Sequence, residues 1–444
     1  MTVHHIGIEP GCEFDVVLAG PLIGGRLSHQ LAARQLALGA RYEDGAAPRI
    51  HRASIAYGLP AGGSDRGAVD AWGGETRDGM PSLVFAADQV PVSLAHGSGI
   101  RTHRLLTGLA RSFSVSLVAY EQPSAQDDID AAGLRRLLPD VQVTTIPRPQ
   151  DGQATSAGEE SGVSAILAVG RFVMPVYAQA LRAVVQQRSS HVVHFDDLGV
   201  ALSGPVPGTA GVFAPHNVEH RIMQRRRCSC AARRGAAASD PGVRAAFAAV
   251  EWRKIRREEQ ATWRRMSLCL AVSDIDADVI RRGGAKRVEL CPNGVDPVDQ
   301  LAFPGRSADE PLRLLFVGTV SYRPYERGIA WFVREVLPQL RERVPVELDV
   351  VGSPPLKPIS AAGVRYHGRV PALQPWYERA HAVVVPVFEG SGTRLKMIEA
   401  MAYGRPVVST PLGSEGLPVR SDEHLTAEHF IEALDELAHR RGVR

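Results

Sequence analysis

Two short valine-rich runs, residues 382–387 and 405–410, enclose a glycine-rich turn and a helix-forming stretch. Strands that are apolar without alternation suit a sheet covered on both faces, and two such strands joined by a helix pair in parallel. The unit is therefore β-loop-α-β, with the loop at residues 388–392 lying at the carboxyl end of its strand, where open α/β sheets bind ligands. Gly390, Ser391 and Gly392 leave little side-chain bulk there. Thr393 is expected to cap a helix running to about Tyr403, with Gly404 and Pro406 ending it.

The residue types at that helix start point to an anion. Unpaired first-turn N–H groups attract negative charge, and Arg394 and Lys396 add two cations. Lys396 and Glu399 are three positions apart, so they share a helical face with the carboxylate nearly a turn deeper. One end suits a diphosphate and the other suits sugar hydroxyls. A solvated crossover helix would carry similar residues without a site; the run Thr393-Arg394-Leu395-Lys396 ahead of Glu399 favours the site.

At this point a resemblance emerges. The stretch "EGSGTRLKMIEAMAYGRPVVSTPLGSEGL", residues 389–417, resembles the C-terminal nucleotide-sugar site of the family 4, retaining, GT-B glycosyltransferases. "HNVEHRIMQRR" (216–226), "LAVSDIDADVI" (270–280), "CPNGVD" (291–296), "LLFVGTVSYRP" (314–324) and "VRYHGRVPAL" (364–373) follow the family's order. Each piece is weak alone and specific in combination. The resemblance covers roughly residues 82–418 and implies an α/β GT-B fold, with two doubly wound Rossmann-like domains facing across a cleft.

It also implies metal-independent, hexosyltransferase-like transfer from a nucleotide-diphosphate sugar to a glycan or lipid-linked acceptor, as in polysaccharide biosynthesis. The nucleotide sugar is a co-substrate and no cofactor is expected. Breaking a sugar-diphosphate bond leaves an oxocarbenium-like ring and a leaving group gaining negative charge, for which Arg394, Lys396 and the Gly392/Thr393 backbone are placed. Glu399 matches the family residue that accepts hydrogen bonds from the nucleotide ribose. His216 matches one that contacts the donor sugar or helps the acceptor hydroxyl. Gly318, and Gly97, Ser98 and Gly99 of "HGSGIRTH", would let backbone approach the diphosphate or acceptor.

Three features depart from the family. Ser391 stands where relatives place a carboxylate eight residues before Glu399, "FVGTVSYRP" lacks the lysine many carry soon after the glycine, and the chain is short after residue 418. These departures leave a second reading, a catalytically impaired relic or nucleotide-binding scaffold of the same fold. A nicotinamide oxidoreductase is disfavoured, because Thr102 occupies the third-glycine position of the first domain's turn.

A chain of 444 residues exceeds one usual core. Residues 1–79, rich in Gly, Ala, Arg and His, form an extension of unknown role, either disordered or a miscalled start, because "PSLVFAADQ" after Met80 reads as a first strand. Residues 80–291 are expected to form an acceptor-side Rossmann-like domain, and residues 292–444 a nucleotide-sugar domain truncated at its end. Expected elements include a helix at 100–113, a loop at 122–162, helices at 164–187 and 329–341, and His216 beyond the carboxyl end of a strand at 211–214.

Other signals are weighed against plainer roles. Asp274-Ile275-Asp276 matches a D-x-D metal signature, yet Ser273 and these acids follow a strand and open a helix, so they read as an N-cap and first-turn acids. Asp196-Asp197 reads as a turn. His220, four residues after His216, finds no third ligand, and no metal site is expected. Five scattered cysteines imply reduced thiols in the cytoplasm. A net charge of only +3 gives no ground for a nucleic-acid partner. Residues 219–265, however, carry thirteen Lys/Arg against five Asp/Glu. Such a run reads either as a solvated helix face or as a contact with polyanion or anionic lipid, as at the inner face of the cell membrane. Trp252 and Trp263 share a face there, which suits either core packing or interfacial insertion.

Overall fold

The computed structural model describes residues 17–19, 80–91, 97–121, 136, 138–147, 175–231, 241–295, 298, 304–307, 309–353, 358–417, 431, 434 and 435, with side chains at 17–19, 226–231 and 241–249 outside that description. These residues form two compact units, divided between Pro292 and Asn293. Strand β1 (Val17–Ala19) belongs with the unit that starts at Asn293.

The other unit holds a seven-stranded, all-parallel sheet in the order β4-β3-β2-β5-β6-β7-β8. Its strands are β2 (Ser82–Gln89), β3 (Ser114–Tyr120), β4 (Val141–Ile146), β5 (Val192–Phe195), β6 (Ala210–Phe213), β7 (Leu268–Ala271) and β8 (Val288–Leu290). The chain adds β3 and β4 on one side of β2 and then returns to add β5 on the other. The strand order therefore reverses between β2 and β5, which opens a crevice at their carboxyl ends. Helices α1 (Gly97–Leu109), α2 (Pro175–Gln187), α3 (Leu198–Ala201), α4 (Glu219–Ala231), α5 (Pro241–Arg265) and α6 (Asp274–Arg282) make the connections. Leu83, Phe85 and Leu117 pack in one apolar layer, and Val84, Ala86 and Val118 in the other. Burial on both faces is why these strands read as continuous apolar runs.

The second unit has strands β9 (Leu312–Val317), β10 (Val346–Val351), β11 (Val364–Gly368), β12 (Ala382–Val385) and β13 (Val407–Ser409), in the order β1-β13-β12-β9-β10-β11. The later five are parallel, and their order reverses between β9 and β12. Helices α7 (Arg323–Trp331), α8 (Leu337–Arg343), α9 (Gln374–Arg379) and α10 (Leu395–Ala402) connect them. β1 lies antiparallel on β13, pairing Leu18 with Val408. Three residues of the extension thus form an edge strand, although the sequence offered no role for them. Residues 1–16 and 20–79 lie outside the described residues, as do 164–174 of the expected helix at 164–187 and 436–444 at the chain's end.

Several boundaries differ from expectation for local reasons. The single helix expected at 329–341 is interrupted by a π-helical turn, Phe332–Val336, just before Pro338, whose missing N–H breaks the regular ladder. The first crossover helix starts at Gly97 and ends at Leu109, where residues 100–113 were expected. β4 falls inside the stretch expected to be a loop; it is an edge strand with half its residues exposed, so its apolar signal is diluted.

Trp263 is 1% exposed and packs in the apolar layer beneath α5, so core packing is its role and interfacial insertion is not. Four residues before it, Glu259 accepts hydrogen bonds from the Glu219 and His220 N–H groups at 2.7 and 2.9 Å, and meets His220 Nδ1 at 2.5 Å. A buried carboxylate from α5 therefore caps the start of α4, where orphan donors need an acceptor. Glu259→Ala should destabilise this unit by about 3 kcal/mol, the scale of breaking a buried pair and stranding its donors. An unshifted urea midpoint would show that the α4 terminus finds other acceptors.

Candidate functional site

In the second unit the reversal between β9 and β12 brings Gly318, at the end of β9, and the loop 387–394, after β12, to the same end of the sheet. Helix α10 begins at Leu395, later than the sequence suggested. Arg394 sits at its N-cap and makes no side-chain cap bond. Thr393 does not cap, because its hydroxyl is taken by the Asn293 side-chain N–H at 2.7 Å. The helix start is thus left without a side-chain acceptor, although two cations crowd it.

Both cations are buried at 7% exposure. Arg394 Nη1 donates to the carbonyls of Ser391 and Gly392, while its Nε and Nη2 have no hydrogen-bond partner. Gly390 makes room for this guanidinium: its φ is +130°, and a Cβ there would stand 2.7 Å from Arg394 Nη2. Lys396 Nζ also has no hydrogen-bond partner. It lies 3.5 Å from the ring centre of Tyr325 and 4.2 Å from that of Phe316. Burial and then the Arg394 charge push the Lys396 pKa well below its ordinary value, against the pull of Glu399. Glu399 accepts a hydrogen bond from Tyr377 Oη at 2.9 Å. Burial raises its pKa against that bond and the Lys396 charge. Ser391 is buried, and Gly392 adopts a φ of +75° in the turn.

The first unit has its own cluster at the reversal between β2 and β5. Gly97 and Ser98 are exposed and Gly99 is buried in the first turn of α1. Thr102 points its hydroxyl at the Ser98 carbonyl, 3.0 Å away, and at Asp196 Oδ2. His216, three residues beyond β6, meets the same Asp196 oxygen at 3.0 Å through Nε2. Asp196 is 2% exposed. Burial works against charge on both partners, yet each outweighs it for the other: the Asp196 pKa falls below its ordinary value and that of His216 rises. Burial and the Asp88 and Asp196 charges raise the Asp197 pKa to about 6. Burial lowers His194 to about 4.

The turn expected at Asp196-Asp197 is only half the account. Asp197 caps α3 through the Val200 N–H at 3.1 Å, whereas Asp196 orients His216. Residues 20 positions apart give no local pattern, so only the parallel pairing of β5 with β6 reveals this partnership. Tyr377, 22 positions before Glu399, and Tyr325, far earlier in the chain than Lys396, support those two residues in the same non-local way.

The other signals resolve plainly. Ser273 caps α6 by accepting from the Asp276 N–H at 3.2 Å, so the D-x-D acids open a helix. His220 faces Glu259. Among the described residues there is no group of three or more His, Cys, Asp and Glu side chains arranged to hold a metal ion. Among them too, no helix is long and apolar enough to cross a membrane.

Asp196→Asn should move the His216 imidazole titration to lower pH, because burial would then act unopposed by the carboxylate. The sign follows from linkage: a raised histidine stabilises below its unfolded pKa, and a depressed carboxylate stabilises above its own. The pair is therefore at full strength between about pH 4 and 6.5 and weakens on either side. An unchanged NMR titration midpoint for His216 in the variant would show that Asp196 does not hold its proton.

Residues 311–440 match the family described as Glycosyl transferases group 1. An uncharacterised 44.6 kDa protein in the cps region of Klebsiella pneumoniae is 28% identical over 139 residues, covering 27% of this chain and 36% of that protein. The matched stretch thus spans about a third of that relative's length. Among solved structures, the sucrose-phosphate synthase of Thermosynechococcus elongatus is similar with a TM-score of 0.55 at 18% identity, covering 82% of this chain and 90% of that one. Anabaena HepE, solved in complex with UDP-glucose, is similar with a TM-score of 0.51 at 11% identity, covering 81% and 90%. With its two parallel, doubly wound sheets, the chain has the GT-B fold, and its residues 311–440 match the group 1 glycosyltransferase family.

Proposed function

We propose that this protein is a retaining, metal-independent glycosyltransferase that uses a nucleotide-diphosphate sugar. The observation that carries the reading is the pair of buried cations at the start of α10, whose Arg394 Nε and Nη2 and Lys396 Nζ lack hydrogen-bond partners. A buried charge without a partner is costly, and a dianionic diphosphate would relieve both at once. The same donors would stabilise the charge that grows on the leaving group. Glu399, with one oxygen held by Tyr377, leaves the other for a ribose hydroxyl. Gly318, Gly390, Ser391, Gly392 and Thr393 supply the low-bulk wall. UDP-glucose, the molecule bound in the HepE structure, is the first donor to test.

The acceptor, a glycan or a lipid-linked glycan, is assigned to the first unit, with Gly97, Ser98 and Gly99 at its backbone wall and His216 as the contact to an acceptor or donor hydroxyl. Arg253, Arg256, Arg257, Arg264 and Arg265 of α5 are exposed. They offer a basic face to an anionic leaflet on the cytoplasmic side, at about 1 kcal/mol per cation.

Arg394→Ala and Lys396→Ala should each cut donor-dependent release of nucleoside diphosphate by about a hundredfold, the scale of losing one preorganised donor. Turnover should persist in EDTA, since these cations meet the developing charge. Undiminished turnover in both variants sinks the assignment, and a loss in EDTA that Mg²⁺ reverses sinks metal independence. Absence of turnover in the wild-type protein with any donor, alongside nucleotide binding, would favour the non-catalytic scaffold.

Salt-sensitive binding to anionic but not neutral vesicles is expected, and it should vanish when Arg253, Arg256 and Arg257 become Ser. Equal partitioning to both vesicle types, or none to either, would remove the membrane from this account.

A further inference from the structure

The buried ammonium of Lys396 raises a question that the anion reading leaves open: what holds it in place before any anion arrives. Its Nζ has no hydrogen-bond partner. Three groups enclose it instead. The Tyr325 and Phe316 ring centres stand 3.5 and 4.2 Å away. On a third side lies Gly318, at a φ of +154°, where a Cβ would come within 2.5 Å of Nζ. Any side chain at 318 would therefore displace the amine as well as strain the backbone.

The rings are themselves fixed. Tyr325 meets Phe316 edge-on at 5.9 Å and 73°, and meets Tyr322 in the same manner at 5.2 Å and 81°. Phe316 belongs to β9 and is fully buried, so one wall of the slot is part of the sheet. Tyr325 comes from the first turn of α7. The negative faces of two rings attract an ammonium most strongly where water is excluded.

We infer that Tyr325, with Phe316 and Gly318, forms an aromatic slot that positions the Lys396 ammonium for the diphosphate, making Tyr325 a positioning residue for nucleotide binding. The inference rests on the anion-site reading above and adds the source of its preorganisation. Arg394, held by the Ser391 and Gly392 carbonyls, is positioned by backbone; Lys396 is positioned by rings. The two cations thus reach the same anion by different supports, and the lysine depends on aromatic electron density where the arginine does not.

The test uses the full-length protein with inorganic pyrophosphate and UDP as separate calorimetric probes. Position 325 carries Tyr, then Phe, then mono-, di- and trifluorinated phenylalanine, which keep the ring's shape while draining its negative face. Tyr325→Phe should bind both probes within about threefold of wild type, and affinity should then fall stepwise with fluorination to roughly tenfold weaker, the scale of one desolvated cation–π contact. Tyr325→Leu should weaken binding at least as much, and the fluorinated series remains readable if that variant does not fold. A flat series, in a protein whose binding is lost in Lys396→Met, overturns the slot and leaves the anion site standing. Binding that survives Lys396→Met overturns the anion-site reading itself. Loss with UDP but none with pyrophosphate would overturn the slot too, by showing that the ring serves the nucleoside.

Discussion

Burying a guanidinium and an ammonium two residues apart without a carboxylate between them is the constraint around which the second unit is arranged. Charges in such a place are normally paired, and unpaired ones are expelled or neutralised. Here Arg394 is tied to two carbonyls of its own loop and Lys396 lies over two rings, so both are held away from solvent in this arrangement. The depressed Lys396 pKa is the cost of that arrangement. Gly318 and Gly390 are the backbone's answer, each leaving empty the place where a cation's side chain ends. The parallel sheet supplies the rest, because the reversal between β9 and β12 brings a strand end and a helix start to the same end of the sheet.

The first unit repeats the strand-order reversal with a mixed set of charges. At its reversal, between β2 and β5, buried carboxylates sit beside the buried Arg101 and His194: Asp196 is held ionised by His216 and Thr102, and Asp197 is pushed up to about 6 beside Asp88 and Asp196. One reversal gathers two buried cations whose donors are only partly used, and the other gathers carboxylates that accept from Thr102 and His216. A diphosphate suits the first, and hydroxyl groups, which donate and accept, suit the second. Identical folds do not dictate this division; the residues placed after β5, β6 and β12 do.

How far the sequence led can be followed residue by residue. The strand-loop-helix at residues 382–410 was legible because its signals are local: valine runs, small loop residues, cations one turn ahead of a carboxylate. The location of His216 after a buried strand was legible for the same reason, as was Ser273 capping α6. What escaped was contact between distant residues. Asp196 looked like a turn because its partner lies 20 positions away, and Thr393 looked like a cap because Asn293, 100 positions earlier, was not known to claim its hydroxyl. β4 and β8 escaped because edge strands bury too little to show an unbroken apolar run. Trp263 shared a helical face with Trp252, and periodicity alone cannot tell a face that meets the core from one that meets a membrane.

The loop's acids complete the argument about charge. Glu389 opens the glycine-rich loop, where an uncommitted carboxylate could neutralise Arg394 or Lys396 and close the site to an anion. It is instead paired with Arg327 of α7. Glu399 sits on the same helix as Lys396 but is engaged by Tyr377, which stacks on Tyr403 at 4.8 Å. At 391 the residue is serine, which carries no charge. Each acid within reach is thus diverted or absent, and the positive potential at the α10 start is left for a ligand. An acid at 391 would have placed a carboxylate in the loop whose carbonyl already holds Arg394; under the proposed function, the serine leaves that charge to a diphosphate.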